Sequence, residues 1–580
     1  MMVPLRIIGP TCVSLLAIGL WGGCSQDSAS PEAAAPSVES PVISFRDATV
    51  QSGLELTTVS GAQPSTQILE VKGGGLALID FDSDGDRDLL VPNGATLGSP
   101  EQGPGARLFR NDGDLKFTDV TPTSGIQHQR WSFGTAVADV DGDGYDDLYI
   151  ACFGPDVLLR NRGDGTFEDI SDSAGVGDDE WSTSAAFADV DNDGDMDLFV
   201  TRYLRFDPEQ PPPPANFKGL KVLNGPRGLE PLSDLFYENL GAGRFRLHQT
   251  GDPLGELEPS YGLNVAILDF TGDGRSDILV GNDSKANHLY RNETAEQGGL
   301  AFEEIGLASG LAHDLNGYTQ ATMGIAISDV NQDGRPDVFT SNFSSDSNTM
   351  HVSAADGIYD DRTRQFGLAL VSRPYLGWAS GFYDFDHDGD EDLLVMNGHV
   401  YPQATLASMD SDYEQPALLF RNDAGRFVRD LSVPVLEVPH RDRSAVFDDL
   451  DGDGDIDIVV CELNGPLRLL ENQCPDPGNR WISLELVDQQ PATANRHGIG
   501  SRIELSAGSW RAVRWVAGGG PFQSNWSPLI HAGLPPKVDQ VEVLVHWPDG
   551  VRSAHQLPAG RSAVLRRTSD GILVEFREAG

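Results

Sequence analysis

The residues of this chain best suited to chemistry are aspartates at alternate positions of a nine-residue loop, Asp-x-Asp-x-Asp-Gly-x-x-Asp, which recurs seven times. Oxygens at every second position of a tight turn can converge on one point, and a hard cation such as Ca²⁺ takes about 6–8 of them at about 2.3–2.6 Å. Positions 1, 3, 5 and 9 then supply carboxylates and position 7 a main-chain carbonyl, while glycine at position 6 permits the sharp turn. The first loop offers Asp80, Asp82, Asp84 and Asp88 with the carbonyl of Asp86; the second Asp139, Asp141, Asp143 and Asp147 with Tyr145; the third Asp189, Asp191, Asp193 and Asp197 with Asp195. The sixth and seventh repeat this with Asp384, Asp386, Asp388, Asp390 and Asp392, and with Asp449, Asp451, Asp453, Asp455 and Asp457. The fourth (Asp269, Thr271, Asp273, Arg275, Asp277) and the fifth (Asp329, Asn331, Asp333, Arg335, Asp337) lack the carboxylate at position 3 and should hold a cation more loosely. Up to seven Ca²⁺ ions are therefore expected.

Each loop is entered by an apolar run (TAVADV, NVAILDF, GIAISDV) and left by another (LLV, LYI, LFV), so it joins two strands rather than the two helices of an EF-hand. A second repeat interleaves with the first. Leu108–Asn111, Leu158–Asn161, Leu235–Asn239, Leu289–Asn292 and Leu419–Asn422 each precede a turn and a Phe-centred strand, with Gly357–Asp361 in that place in the fifth unit. Units of 50 to 80 residues, each a metal hairpin followed by an Asn-turn hairpin, imply the blades of a propeller. The seventh unit lacks its Phe-strand, but Ile43–Leu54 carries the pattern and stands before the first loop. It is expected to complete blade seven and so remove an open sheet edge. The fold class is thus all-β: a seven-bladed propeller over 43–475, then a small all-β, sandwich-like domain over 476–580, where WISLELV and QVEVLVHW alternate apolar and polar residues.

The loops in their strand context resemble the FG-GAP (VCBS, integrin-α-like) repeats of integrin propellers. The chain as a whole is similar to the bacterial ASPIC/UnbV family, relatives of animal cartilage acidic protein. GGGLALIDFDSDGD, GPRGL at Gly225–Leu229, NGHVYP at Asn397–Pro402 and NRHGIGSRIEL at Asn495–Leu505 carry that likeness, which runs from about residue 43 to about residue 567. The resemblance implies a calcium-stabilised extracellular binding or adhesion scaffold.

Composition agrees with ligand chemistry. The chain has 88 acidic and 41 basic residues, a net charge of −47, with the excess before residue 476. Such a field disfavours nucleic acid and anionic lipid as partners. An apolar stretch after Arg6, ending Gly22-Gly23-Cys24, reads as a lipoprotein signal peptide over 1–23, with Cys24 lipidated and 24–42 a flexible tether; the alternative is a freely secreted chain. Export to the outer membrane, periplasm or cell surface follows, with membrane contact only through such an anchor. Cys461 and Cys474 are close enough in sequence to be considered for a disulfide.

No catalytic motif stands out; His399 and His440 read as loop residues bonding to backbone. Trp131, Trp181, Tyr261 and Trp378 stand six or eight residues before a loop's first aspartate, near the strand ends opposite the metals. They are read either as wedges between blades or as a stacking ring for a protein or glycan ligand, with Arg227 on the Pro-rich insertion Asp207–Ser233 reaching over it. A carbohydrate-active enzyme, a lyase or hydrolase, is the alternative, needing a Lys, Tyr or His base beside a carboxylate in the central cleft.

Overall fold

The blade hairpins follow from alternating apolar runs punctuated by Asp/Gly and Asn/Gly turns, and seven four-stranded antiparallel sheets of one design result. The computed structural model describes residues 42–248, 257–294, 299–474 and 480–577. In the second sheet, Ser132–Ala138, Asp147–Cys152, Val157–Asn161 and Phe167–Asp169 pair in sequence order, with the metal loop joining the first two strands. Inner strands of successive sheets pack on one another through buried apolar side chains, as where Ala136 and Ala138 meet Ala185 and Phe187.

The ring closes as expected. Phe45–Asp47 forms the outer strand of the sheet built from Asp442–Asp448, Asp457–Glu462 and Leu467–Asn472, in the register Phe45↔Asn472 and Asp47↔Leu470. Leu76 and Leu78 of the first sheet share a core with Val446, Val459 and Leu469 of the seventh, and Ser444 Oγ donates to Gly74 O at 2.7 Å. In the fifth unit Ile358–Asp361 pairs with Thr349–Ala355 and takes the Phe-strand's place.

Beyond the propeller lie two more four-stranded sheets, ordered 530–534, 480–488, 561–568, 571–576 and 510–515, 502–507, 540–546, 552–558. Ile482, Leu484, Ile503, Val543, Val545 and Leu565 fill one core between them, and strands 480–488 and 561–568 run parallel. Residues 41–580 make one compact unit, because the segment between these sheets returns into the propeller. Gly518 and Gly519 pair with Ile267 and Ala266 as a fifth strand on the fourth sheet. Thr135 N donates to Gln523 O at 3.1 Å and Leu76 N to Ser524 Oγ at 3.0 Å, and the amide of Asn525 exchanges two bonds with the backbone of Leu78. Gly519 has φ +102°, and a Cβ there would lie 2.2 Å from Val265 O, so only glycine fits this approach. The axis of the ring is thereby filled.

Residues 1–41, including the expected signal peptide, Cys24 and most of the tether, lie outside the described residues, as does the expected domain boundary at 475/476. Among the described residues no helix is long and apolar enough to cross a membrane.

Candidate metal centres and the surface that covers them

All seven loops share one hydrogen-bond plan. The carboxylate at position 5 accepts the N–H of position 7, as Asp84 from Asp86, Asp143 from Tyr145, Asp193 from Asp195, Asp388 from Asp390 and Asp453 from Asp455, at 2.9–3.0 Å. Oδ2 at position 1 accepts the N–H of the glycine in the second to seventh loops, from 2.8 Å for Gly144→Asp139 to 3.1 Å for Gly194→Asp189. Position 9 has a further part. Asp88 accepts from Phe81 N at 3.0 Å and from Asn111 N at 2.8 Å, and Asp147, Asp197, Asp277, Asp337, Asp392 and Asp457 do the same with their own loop and the third strand. The last aspartate therefore ties the metal hairpin to the Asn-turn hairpin, a role the ligand pattern alone does not reveal.

The same oxygens converge. One ligand atom each from Asp80, Asp82 and Asp88 lies within 4.8 Å of the others, and likewise for Asp139, Asp141 and Asp147 and for Asp189, Asp191 and Asp197. Burial pushes Asp88 and Asp147 up to about 8, Asp277 and Asp337 to about 7, and Asp449 to about 8. Oδ1 of Asp80 and of Asp449 is buried with no hydrogen-bond partner. Clustered oxygens that burial alone would protonate fit a hard divalent cation, whose charge offsets the cost of desolvating them.

The two substituted loops differ by more than one charge. Arg275 at position 7 pairs with Asp273, and Arg335 Nη2 reaches Asp333 at 2.6 Å, so each loop places a guanidinium on its own position-5 carboxylate. Elsewhere position-7 side chains leave the loop: Tyr145 covers Gly163, Asp390 accepts from Gln332 at 3.1 Å, and Asp455 turns toward His387.

The C-terminal sheets cover this face, and they meet the loops at positions 6 and 8. Ala494 N donates to Gly194 O at 2.7 Å, Trp510 Nε1 to Gly389 O at 3.2 Å, and Arg502 Nη2 to Gly334 O at 3.4 Å. A Cβ on Gly454 would stand 1.8 Å from the Trp481 ring, so the glycine serves this contact as well as the turn at φ +98°. At position 8, buried Arg87 pairs with Glu485, which Arg577 also contacts; Asp146 meets His497 at 2.9 Å; Glu391 meets Arg514 at 3.0 Å. Against the opposing effect of burial, the two arginines hold Glu485 below its ordinary value.

The aromatic set is placed at the other end of the strands but is closed. Trp131 and Trp181 are 0% exposed, Trp378 1% and Tyr261 5%. Trp181 packs edge-on to Tyr203 at 5.0 Å, and Phe522 of the axial segment meets Trp378 at the same distance. These rings are core wedges in this state, while Arg227 is exposed. Beneath them Lys72 Nζ is 3.3 Å from Asp283 Oδ2 and 4.3 Å above the Tyr203 ring, and the Tyr203 hydroxyl donates to the same carboxylate at 2.5 Å. His399 is structural: Tyr401 N donates to its Nδ1 at 3.0 Å, Nε2 stands 2.9 Å from Ser344 Oγ, and burial lowers it to about 3. His440 contacts Glu462 at 3.1 Å, beside Arg441.

No disulfide joins Cys461 to Cys474. Cys461 pairs with Leu467 at one end of its hairpin, whereas Cys474 lies seven residues further on, past the other end. At about 3.3 Å per residue that is roughly 20 Å, too far for a disulfide.

Residues 80–150, 139–200, 269–340 and 329–395 match the model of the FG-GAP-like repeat, and residues 491–571 match that of ASPIC and UnbV. This chain carries FG-GAP-like repeats and an ASPIC/UnbV domain. Its relatives include cartilage acidic protein 1 of Xenopus tropicalis, 23% identical over 82% of this chain and 70% of that protein, and the same protein of Mus musculus, 24% identical over 54% of this chain. The chain spans 46% of the mouse protein. Human integrin alpha-6 is 29% identical over 24% of this chain and 12% of its own length. Among solved structures, an Agrocybe aegerita protein described as recognising non-reducing terminal N-acetylglucosamine aligns with a TM-score of 0.38 at 15% identity, covering 65% of this chain and 89% of that one. The seventh loop, Asp449–Asp457, lies beyond the matched repeats yet keeps their hydrogen bonds.

Proposed function

We propose that this chain is a calcium-binding extracytoplasmic scaffold that presents the uncovered face of its propeller to an extracellular protein or glycan. The carrying observation is the C-terminal cover: sheets close over the metal loops and a Gly-rich segment fills the axis, which leaves the opposite face for a partner. That face carries exposed Arg227 and a cleft of about 440 Å³ lined by Tyr318, Arg362, Arg364, Leu370 and Arg373. In this reading the ions stiffen the loops on which the C-terminal sheets rest and do not touch the ligand. Similarity to cartilage acidic protein 1 and to integrin alpha-6 supports a binding role. Export with a lipid on Cys24 belongs to the same proposal and is checked by mass spectrometry of the mature N-terminus.

A second reading, a carbohydrate-active enzyme, has the Lys72–Asp283–Tyr203 contact in its favour: burial lowers Lys72, as a base requires. Lys72 is buried and Tyr203 fully so, which favours the scaffold. Incubating the protein with a glycan array and following both retention and cleavage separates the two. Retention abolished by Arg227→Glu or Arg373→Glu without product supports the scaffold; released unsaturated or reducing sugar overturns it.

A further inference from the structure

We propose that His387, Asp455 and Cys474 form a seat for a borderline transition-metal ion such as Zn²⁺, distinct from the Ca²⁺ positions of the two loops from which His387 and Asp455 come. One ligand atom from each lies within 4.8 Å of the others. The calcium scheme asks for none of these three side chains. His387 occupies position 4 of the sixth loop, which supplies no ligand; Asp455 occupies position 7 of the seventh, which supplies only its carbonyl; Cys474 lies just past the strand Leu467–Asn472. Two neighbouring blades thus turn side chains that the calcium scheme does not use toward one point, where His387 Nε2 also meets Gly454 O at 3.2 Å.

The geometry is held from several sides. His387 Nε2 is 3.5 Å from Asp455 Oδ1, and the N–H of Cys474 donates to Asp455 Oδ2 at 2.9 Å, which fixes the carboxylate with its first oxygen toward the imidazole. His387 has φ +56°, and the strand Ile530–Leu534 crosses so close that a Cβ on Gly533 would lie 2.5 Å from its Cα. His387 and Asp455 are buried, whereas Cys474 is half-buried and marks the side from which an ion would enter. His531 on that crossing strand stands with its ring 5.2 Å from His387; its Nε2 meets Gly454 O at 3.0 Å, and its buried Nδ1 has no hydrogen-bond partner.

A thiolate, an imidazole and a carboxylate make a mixed S/N/O set, which suits Zn²⁺ in tetrahedral coordination and not Ca²⁺, which binds oxygen. Three protein ligands leave a fourth position for water or for His531. The cluster of His440, Asp442 and Glu462 is comparably tight, but Arg468 and Arg441 already neutralise its carboxylates, so it carries no charge for a cation. An ion at Cys474 would staple the sixth blade to the seventh, the blade at which the ring closes, beneath the C-terminal sheets.

The test uses the full chain saturated with Ca²⁺ and titrated with Co²⁺. The expected result is one extra cobalt per chain with a thiolate-to-metal charge-transfer band, displaced by Zn²⁺. Cys474→Ser should abolish the band, and His387→Gln should weaken binding by about tenfold or more, while Cys152→Ser and Cys461→Ser keep the band. In the unmodified chain, Zn²⁺ should also protect Cys474 from alkylation, a readout that needs no variant. Absence of the band, a band that survives Cys474→Ser, or alkylation of Cys474 at the same rate with and without Zn²⁺ would overturn the proposal.

Discussion

Phe522 stands edge-on to Trp378 with ring centres 5.0 Å apart, so a residue of the C-terminal segment completes the core at the propeller axis. Both rings are buried. Phe522→Ala should therefore cost about 3–5 kcal/mol of stability, the range for an aromatic truncated in a core. Urea unfolding at saturating calcium measures it, and a loss below about 1 kcal/mol would show that the axial segment is an ornament rather than part of the core.

Chelation should lower the melting temperature, because an ion bound only by the folded state stabilises it in proportion to RT ln(1 + [L]/Kd). The C-terminal sheets rest on the loops, so Trp481 and Trp510 should become more accessible in the same step. A scan with excess EGTA, followed by tryptophan fluorescence, decides. An unchanged melting curve would refute the structural role of calcium.

The loops should not be equal. Asp84→Ala or Asp388→Ala should each remove one ion, whereas Asp273→Ala should remove little because Arg275 already occupies that carboxylate. Atomic emission on the three proteins counts the ions. Equal losses at all three sites would reverse this ranking.

Two buried histidines should make the fold acid-sensitive. Burial holds His128 down to about 4 and His399 to about 3, so below pH ~6.5 the unfolded chain binds protons that the folded chain refuses. Their contribution is whole above pH ~6.5 and is lost as pH falls toward 4, at up to about 1.4 kcal/mol per pH unit for each. His399→Gln should flatten the measured slope between pH 6.5 and pH 5. An identical slope in the variant would place the sensitivity elsewhere.

Ring closure can be trapped covalently. Phe45 and Asn472 are cross-strand partners, so Phe45→Cys with Asn472→Cys should crosslink within one chain, while deleting residues through 55 should expose the seventh sheet and cause aggregation. A soluble, cooperative protein after that deletion would mean closure by another route.

The acidic-loop hairpins, the Asn-turn strands and the return of Phe45 to the seventh sheet were legible because each is a local pattern repeated in register. The cover was not. Position 8 is Arg87, Asp146, Met196, Ser276, Pro336, Glu391 and Ile456 in the seven loops, with no consensus, and Arg87, Asp146 and Glu391 each meet a different partner, Glu485, His497 and Arg514, in the C-terminal sheets. The axial segment, AGGGPFQSN, carries no alternating apolar pattern, and its partners are inner strands hundreds of residues upstream. The aromatic set stands at strand ends away from the acidic loops, but its burial depends on insertions and on Phe522, which no local spacing encodes.

The route of the axial segment sets the order of assembly. Phe45 waits for Asn472, and Leu76 and Leu78 wait for Ser524 and Asn525, so strands at the start of the ring are completed by residues hundreds of positions downstream. Contacts of such sequence separation are slow to form, because the loop-closure entropy is spent before they repay it. A chain emerging N-terminus first can fold its middle blades one by one, yet the seventh stays open until Asn472 follows and the first until Ser524 and Asn525 do. A chain cut short at residue 515 would have every acidic loop and still lack the filler of its axis, which makes the closed propeller a readout of synthesis past that segment.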